Sequence, residues 1–348
     1  MTSTLRLQGL LAIGVVLSAV ACGPGAGSAA QSTEQSPVVW QMQSNFTTGT
    51  AYAAMWQSFA DELSAKTGGR VKLHIHFDNS LNFPVTQITS LTAKGSLDVG
   101  EVDSAIAAGE FPLMKAPSIP GLIPDDHTLR AKVSTAVDPL LNSVLSSTRN
   151  QIVLTSCLFD GRSVISSRPL TELNGLAGLK VRSSAGYEAS LTASLGATPV
   201  TNVGASEYYT ALQTGAINAL WGIDGQFHQA KLYEVGKYVL DARTGGNYVL
   251  LTLNKDSYDR LTDATKKTVM AVAANTGHNC YKVLSQVSAS AIAGLKAAGT
   301  VVTPLSSSDR DKIKELSKAY VADYASKNGA DGQKLLDLIS ATLKANNS

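Results

Sequence analysis

Arg182 is the residue whose type and position most clearly suggest chemistry in this chain of 348 residues. It ends the tetrapeptide LKVR, where apolar and basic residues alternate with the period of a half-buried strand. The turn-forming residues Ser183–Gly186 follow, and the apolar-periodic run beyond them is typical of a helix. In open α/β sheets, ligands bind outside the carboxyl ends of strands. A guanidinium at that place, beside the N–H groups of a helix N-terminus, is suited to hold a carboxylate.

Other polar and aromatic side chains are predicted to reach the same region. Phe159 and Arg162 come shortly before the Arg182 strand, and Arg162 fits either a second cationic contact or a plain surface position. Four further candidates stand at predicted strand ends in the first part of the chain: Asn45, Phe46, Glu101 and Asp103. Paired carboxylates such as the last two can do acid–base work, but hydrogen bonding to a ligand or to solvent is favoured.

The sequence predicts no metal site, no cofactor and no catalytic residue. His74 and His76 share a strand face, but with no third His or Cys nearby, exposed histidines are favoured over metal ligands. The sequence lacks the G-x-S-x-G, H-E-x-x-H and G-x-x-x-x-G-K-[ST] patterns of acyl transfer, zinc hydrolysis and phosphate binding. A binding protein is therefore favoured over an enzyme. The alternative is an exported enzyme that uses Glu101, Asp103 or Asp224.

Alternating strands and helices are predicted to carry these residues. The apolar periodicity predicts strands over 38–43, 71–77, 97–102, 152–159 and 248–254. It predicts helices over 51–66, 84–93, 129–147, 263–298, 309–326 and 332–345. The βαβαβ order at the start implies a parallel sheet covered by helices on both faces.

Length and composition predict a two-lobed globular protein. A chain this long is expected to divide into two lobes, predicted over residues 38–155 with about 246–280, and 156–245 with about 281–346. The 44% hydrophobic and 16% charged residues are those of an ordinary soluble protein. The formal charge of +2 and the lack of a Lys/Arg-rich run argue against nucleic acid as a partner.

The N-terminal residues have the features of an export signal. Arg6 precedes the mostly apolar residues 7–21, which are too few for a membrane span and end in Ala-Val-Ala. Residues 1–21 are therefore predicted to be a signal peptide, followed by a flexible tether over 22–37. Cys22, directly after the cleavage site, predicts a lipid anchor. The protein is then expected outside the cytoplasm, in the periplasm or on the outer face of the cell membrane. Ordinary cleavage without lipidation is the alternative, because Ala-x-Ala also suits ordinary signal peptidase.

Cys157 and Cys280 leave two possibilities open. In an exported protein, two cysteines can form a disulfide. They can equally be two buried thiols. Sequence spacing does not decide between these, because a disulfide depends on the separation of the two Cα atoms.

Three longer motifs stand in sequence through the middle of the chain: Gly178–Arg182 (GLKVR), Ser206–Ala219 (SEYYTALQTGAINA) and Glu234–Leu240 (EVGKYVL). Shorter ones lie at 67–71, 95–100 and 253–255. In this order they resemble the solute-binding proteins of TRAP transporters, the DctP-like family, over roughly residues 38–330. The resemblance implies a two-lobed α/β fold of the periplasmic-binding-protein (Venus flytrap) type, with a long lobe-spanning helix. It also implies that Arg182 pairs with the carboxylate of an organic acid.

The resemblance implies a membrane partner as well. Such proteins hand their ligand to an ion-driven TRAP permease made of a small and a large membrane subunit. The alternative is a binding protein with the same fold that serves an ABC transporter or a sensor kinase.

The turn that lines the ligand in this family differs here. Relatives commonly carry Asp-Gly-x-x-Asn-Pro, whereas this chain has NALWGI over Asn218–Ile223. Gly222 stands where the substrate-binding Asn is expected, which argues against the familiar small dicarboxylates. Trp221 is then either a flat platform for a larger or aromatic acid or a core side chain. Asp224 is either a hydrogen-bond acceptor for the ligand or a helix cap.

Overall fold

The computed structural model describes residues 37–346. Its strands are β1 (Val38–Gln43), β2 (Val71–His76), β3 (Val99–Asp103), β4 (Gln151–Leu158), β5 (Arg162–Ser166), β6 (Lys180–Arg182), β7 (Thr198–Val200), β8 (Ala219–Gly222), β9 (Tyr238–Thr244), β10 (Tyr248–Asn254) and β11 (Val301–Pro304). Its α-helices are α1 (Ala51–Lys66), α2 (Ile88–Ala93), α3 (His127–Thr148), α4 (Tyr187–Ser194), α5 (Tyr208–Thr214), α6 (Asp224–Gln229), α7 (Lys255–Asp259), α8 (Asp263–Ala297) and α9 (Ser307–Ala345). Helix α9 is kinked at Gly329, between the two C-terminal helices that the sequence predicts.

The first sheet has the strand order β2-β1-β3-β10-β4. Strand β1 pairs in parallel with β2 and with β3, as the βαβαβ order predicts. Strand β10 enters between β3 and β4 and runs antiparallel to both. Helix α1 packs against β2 and buries Trp56, Phe59 and Leu63, and the side chain of Thr50 caps its N-terminus. We call this sheet and its helices the first lobe.

The second sheet, with the order β11-β9-β5-β8-β6-β7, forms the second lobe. Strand β8 lies between β5, which is antiparallel to it, and β6, which is parallel to it. The register pairs Ser163 with Gly222 and Arg182 with Leu220. Arg162, at the start of β5, and Arg182, at the end of β6, therefore lie at the same end of the strands, on either side of the carboxyl end of β8.

Two short chain crossings and two long helices connect the lobes. The chain passes from β4 to β5 through residues 159–161 and from β9 to β10 through 245–247, which we call the crossing segments. Helix α8 is 35 residues long and packs on α1, α3 and β4 as well as on α6 and β11. The expected two-lobed α/β fold with a lobe-spanning helix is thereby confirmed. Helix α9 packs on α3 and on the turn 112–118, and it also contacts α4.

Cys157 of β4 and Cys280 of α8 form a disulfide. Their Cα atoms are 6.3 Å apart, and both residues are fully buried. The sequence left this pairing open, because it depends on how α8 lies across the first sheet.

No helix within residues 37–346 is long and apolar enough to cross a membrane. The predicted signal peptide, the lipidation site Cys22 and almost all of the tether lie outside the described residues.

Candidate functional site

A cavity of about 440 Å³ lies between the two lobes. Its wall includes Ser104, Lys115 and Ser118 from the first lobe, Arg162, Glu188 and Trp221 from the second, Asn247 from a crossing segment, and Asp323 and Lys327 from α9. Its volume is within the range of small-molecule binding sites, and clefts between domains are a common place for such sites.

Two glycines allow the crossing segments beside this cavity to touch. A Cβ on Gly161 would lie 2.3 Å from the carbonyl carbon of Arg243, and a Cβ on Gly246 would lie 2.4 Å from the carbonyl oxygen of Phe159. Gly246 also has a φ of +138°, which side chains rarely tolerate. The N–H of Phe159 donates to the carbonyl oxygen of Asn247 over 2.9 Å, so the segments are hydrogen-bonded to each other.

Buried charges hold the crossing segments. Arg130 has no exposed surface, donates to the carbonyl oxygens of Phe159 and Gly245, and forms an ion pair with Asp125 at 2.9 Å. Asp125 also lies 3.3 Å from Arg243. Arg130 therefore ties the N-terminal part of α3 to both crossing segments at once.

Asp160 of the first crossing segment lies 2.6 Å from the Nε2 of His127. The hydrogen bond to Asp160 raises the pKa of His127, although partial burial opposes the shift. This contact adds a second tie between α3 and the crossing.

Arg162 has an ion-pair partner and two hydrogen-bond partners in the protein, although its buried Nε makes no hydrogen bond of good geometry. Its Nε lies 2.5 Å from a carboxylate oxygen of Glu188, and both side chains are almost buried. Its Nη1 donates to the side-chain oxygen of Asn247 over 3.3 Å, and its Nη2 donates to the carbonyl oxygen of Trp221 over 3.4 Å. Arg162 thus lines the cavity with a carboxylate partner already in place, and its contact with a ligand stays a prediction.

Arg182 differs from the other arginines near the crossing. Its Nε donates to the carbonyl oxygen of Val203 over 3.3 Å, and its guanidinium carbon lies 4.8 Å from the centre of the Tyr208 ring. Its Nη1 is buried and has no hydrogen-bond partner among residues 37–346. Burial lowers the pKa of Arg182 and the nearby cation Arg162 lowers it further, whereas Tyr208 and Glu188 oppose the shift. Arg182 is not among the residues that line the cavity, so its contact with a ligand carboxylate stays a prediction.

Trp221 is fully buried, and its indole N–H donates to the hydroxyl of Thr192 over 2.9 Å. The residue borders the cavity but belongs to the core of the second lobe, so its role as a ligand platform stays a prediction. Gly222 is buried as well. A Cβ at this position would lie 2.6 Å from the ring of Phe227, so packing alone requires a glycine there.

Asp224 faces the crossing rather than the cavity. Its Oδ2 accepts from the Nη2 of Arg243 and from the hydroxyl of Ser288, each over 3.2 Å. Burial raises the pKa of Asp224 to about 7, in spite of the opposing effect of Arg243. Asp224 does not act as the side-chain cap that the sequence left open for α6. Its contact with a ligand stays a prediction.

The first lobe brings its candidates together at the ends of β1 and β3. Glu101 accepts from the hydroxyl of Ser44 over 2.5 Å and from the backbone N–H of Asn45 over 3.4 Å. Burial raises the pKa of Glu101 to about 7. Asp103 accepts from the Nδ2 of Asn247 over 3.0 Å, and burial raises its pKa as well.

Phe46 and Phe159 belong to an aromatic cluster with Tyr52. The ring centres of Phe46 and Tyr52 are 5.3 Å apart, and those of Phe46 and Phe159 are 5.6 Å apart. Phe159 is buried, whereas Phe46 is half-buried. Phe46 is therefore the member of this pair that retains surface for a ligand.

Asn247 and Glu188 are site residues that the sequence analysis missed. Asn247 joins Asp103 of the first lobe to Arg162 of the second. Glu188 lies in the first turn of α4, where the sequence indicates only an acidic residue that stabilises the helix N-terminus. The backbone N–H of Ser184 does donate to it, but nothing in the sequence indicates its pairing with Arg162. Within residues 37–346, no group of three or more His, Cys, Asp or Glu side chains is placed to hold a metal ion.

Residues 44–328 match the family model of the bacterial extracellular solute-binding proteins, family 7, known as DctP. The chain belongs to this family. A solute-binding protein of Albidiferax ferrireducens is 27% identical to it over 292 residues, which cover 82% of this chain and 85% of that protein. The resemblance found in the sequence motifs is therefore confirmed.

Solved structures support the same fold for this solute-binding protein. DctP6 of Bordetella pertussis, an extracytoplasmic solute receptor binding pyroglutamic acid, superimposes with a TM-score of 0.80 at 22% identity, covering 87% of this chain and 100% of that one. A TRAP periplasmic solute-binding protein from Desulfovibrio salexigens with bound orotic acid gives a TM-score of 0.77 at 21% identity, covering 87% and 98%. At these identities, the likeness shows the two-lobed fold.

Proposed function

We propose that this solute-binding protein captures a small organic acid in the cleft between its lobes and that Arg182 holds the carboxylate. The observation that carries the proposal is the unsatisfied guanidinium. Arg130, Arg162 and Arg243 each have a carboxylate partner, whereas the Nη1 of Arg182 has no partner among residues 37–346. A ligand carboxylate supplies the missing charge and the missing acceptor.

The ligands of two similar proteins support an acid of this size. Pyroglutamic acid and orotic acid, which those proteins bind, are cyclic molecules with one carboxylate each. A cavity of about 440 Å³ is large enough for ligands of this kind.

Capture is coupled to movement of the lobes about the crossing segments. The ligand contacts candidates of both lobes, Arg182 and Arg162 on one side and Asn45, Phe46, Glu101 and Asp103 on the other. Since contacts from both lobes exist together only in the closed state, binding shifts the population toward closure. Arg162 contributes to this contact only as a neighbour of the ligand, because its own anion partner is Glu188. The closed form then delivers the acid to the small and large membrane subunits of a TRAP permease. A lipid on Cys22 would hold the protein at the membrane surface where that permease lies.

Thermal unfolding of the mature protein tests this proposal. Each acid of a panel, including pyroglutamate, orotate, lactate, succinate and glutarate, is compared with its neutral primary amide. Ligand at 100 times its dissociation constant stabilises the folded state by about 2.7 kcal/mol, which is visible as a raised melting temperature. We expect at least one acid to raise the melting temperature while its amide does not. Equal shifts with an acid and its amide, or no shift with any acid, would argue against capture through a carboxylate.

A further inference from the structure

The ion pair between Glu188 and Arg162 stands at the centre of the cleft. The Glu188 carboxylate lies 2.5 Å from the Nε of Arg162 and accepts from the backbone N–H of Ser184. The side chains of Glu188 and Arg162 are only 11% and 13% exposed, and both residues line the cavity. An ion pair this far from solvent is weakly screened. Removing either partner would leave the other as an uncompensated buried charge, which is strongly unfavourable.

Arg162 consequently has little capacity for a second anion. Its Nη1 and Nη2 donate to Asn247 and to the carbonyl oxygen of Trp221. Beyond Asn247, at 3.0 Å from its Nδ2, lies the carboxylate of Asp103. A ligand carboxylate placed beside Arg162 would have to displace Glu188 and would also lie near Asp103. Like charges at such distances repel, and the repulsion is stronger in a buried site than in water.

The other cations of the cavity lie at a different part of its wall. Lys327 pairs with Asp323 at 2.8 Å, and the charge of Lys115 helps to lower the pKa of the same aspartate. These lysines are carried by α9 and by the turn 112–118 of the first lobe rather than by the sheet that carries Arg182. The charges of Arg162 and Glu188 both act on Arg182, so a short ligand held by Arg182 would have these two residues as its neighbours within the second lobe.

We propose that Glu188 is a specificity residue: its ion pair with Arg162 prevents Arg162 from binding a second carboxylate of the ligand. The cleft then accepts an acid with one carboxylate and, next to it, a hydrogen-bond donor such as an amide N–H, an amine or a hydroxyl. The Glu188 carboxylate accepts from that donor, while a short dicarboxylate is rejected because its second charge falls beside Glu188 and Asp103. This inference rests on the proposed function, since it assumes that Arg182 takes the first carboxylate.

Substitution of Glu188 tests the inference through a ratio of affinities. Calorimetry measures the dissociation constants of pyroglutamate, lactate and orotate on one side and of malonate and succinate on the other. In the native protein we expect the best monocarboxylate to bind at least 10-fold more tightly than either dicarboxylate. In Glu188→Gln, which keeps the shape and removes the charge, we expect this ratio to fall at least 10-fold because Arg162 is released. Glu188→Ala is a second neutral variant, and Glu188→Asp, which keeps the charge, should keep the preference.

Glu172→Gln is the matched control, because Glu172 is exposed on the same lobe and does not line the cavity. It should leave the ratio unchanged. An unchanged ratio in the folded neutral variants, or dicarboxylates bound more tightly by the native protein, would overturn the role of Glu188 and leave acid capture standing. Binding of no acid at all would overturn the proposed function and this inference with it.

Discussion

Single residues in and beside the cleft carry ionisable groups that folding has partly or wholly removed from water. Arg162 compensates with Glu188, and Arg243 compensates with Asp125, Asp224 and Asp241. The neighbours that hydrogen-bond to Glu101 or act on its pKa carry no positive charge. Glu101 is satisfied by Ser44 and by the backbone of Asn45, and the neighbouring Asp103 further disfavours its ionised form. The stability of the protein should therefore report the ionisation of Glu101.

The Glu101 carboxyl predicts a loss of stability as the pH rises. Its pKa is raised from 4.5 to about 7 by burial, so the folded state holds this proton more tightly than the unfolded chain. Stability is then lost between about pH 4.5 and about pH 7, by an amount on the order of 3 kcal/mol. Urea unfolding of Glu101→Gln, which cannot ionise, should show a shallower decline and a more stable protein at pH 8. If the exposed control Glu172→Gln changed the curve equally, Glu101 would not be its source.

At the scale of elements, the two crossing segments determine how the lobes meet. They touch through Gly161 and Gly246, and the buried Arg130 donates to a carbonyl oxygen of each. Because α3 carries Arg130 and His127, this helix of the first lobe controls both crossings. The close contact is made by backbone atoms, which cannot move aside as the end of a flexible side chain can.

Gly161→Ala is expected to destabilise the protein by about 1–3 kcal/mol, the usual effect of overpacking. The added methyl group would meet backbone atoms of Arg243 at 2.3–2.7 Å, so one crossing segment must shift. Gly109→Ala is the matched control, because a Cβ at Gly109 meets nothing within 4 Å. Chemical denaturation of the two variants measures the difference. Equal stability of both would contradict the close packing of the crossings.

Sequence periodicity predicts local elements well and leaves most contacts across the cleft undetermined. The helix over 51–66 has the predicted bounds because its apolar spacing and its Thr50 cap are both local signals. The insertion of β10 between β3 and β4 depends on pairing between residues 90 or more positions apart, and periodicity carries no such information. The strand and the motif of Arg182 predict it as a ligand-binding residue. That the Nη1 of Arg182 lacks a partner, and that Glu188 pairs with Arg162, can be seen only in the three-dimensional structure.

At the scale of the whole molecule, the disulfide closes into one loop the part of the chain that leaves the first lobe, forms most of the second lobe and returns. Cys157 and Cys280 are separated by 123 residues, and the loop between them contains strands β5 to β10. In the chain-entropy model, closing a loop of this length stabilises the folded state by about 4–5 kcal/mol. The bond also fixes the lobe-spanning helix α8 to β4, immediately before a crossing segment.

Replacement of both cysteines by alanine should therefore lower the free energy of unfolding by several kcal/mol, roughly the 4–5 kcal/mol of the loop term. Guanidinium unfolding with and without a reducing agent measures the effect. The native protein should become less stable when reduced, whereas the double variant should not respond. A reductant effect of the same size in both proteins would show that it acts elsewhere.

The most direct test of the account is the calorimetric affinity of Arg182→Met for the acid that binds the native protein most tightly. Arg168→Met is the matched control, because Arg168 is exposed and lies beyond the far end of β5 from Arg162. Two charge-assisted hydrogen bonds of about 1.5–3 kcal/mol each predict a loss of affinity of about 100-fold or more in folded Arg182→Met. The control should bind as the native protein does. A folded Arg182→Met that keeps its affinity within a few-fold would contradict the claim that Arg182 holds the carboxylate.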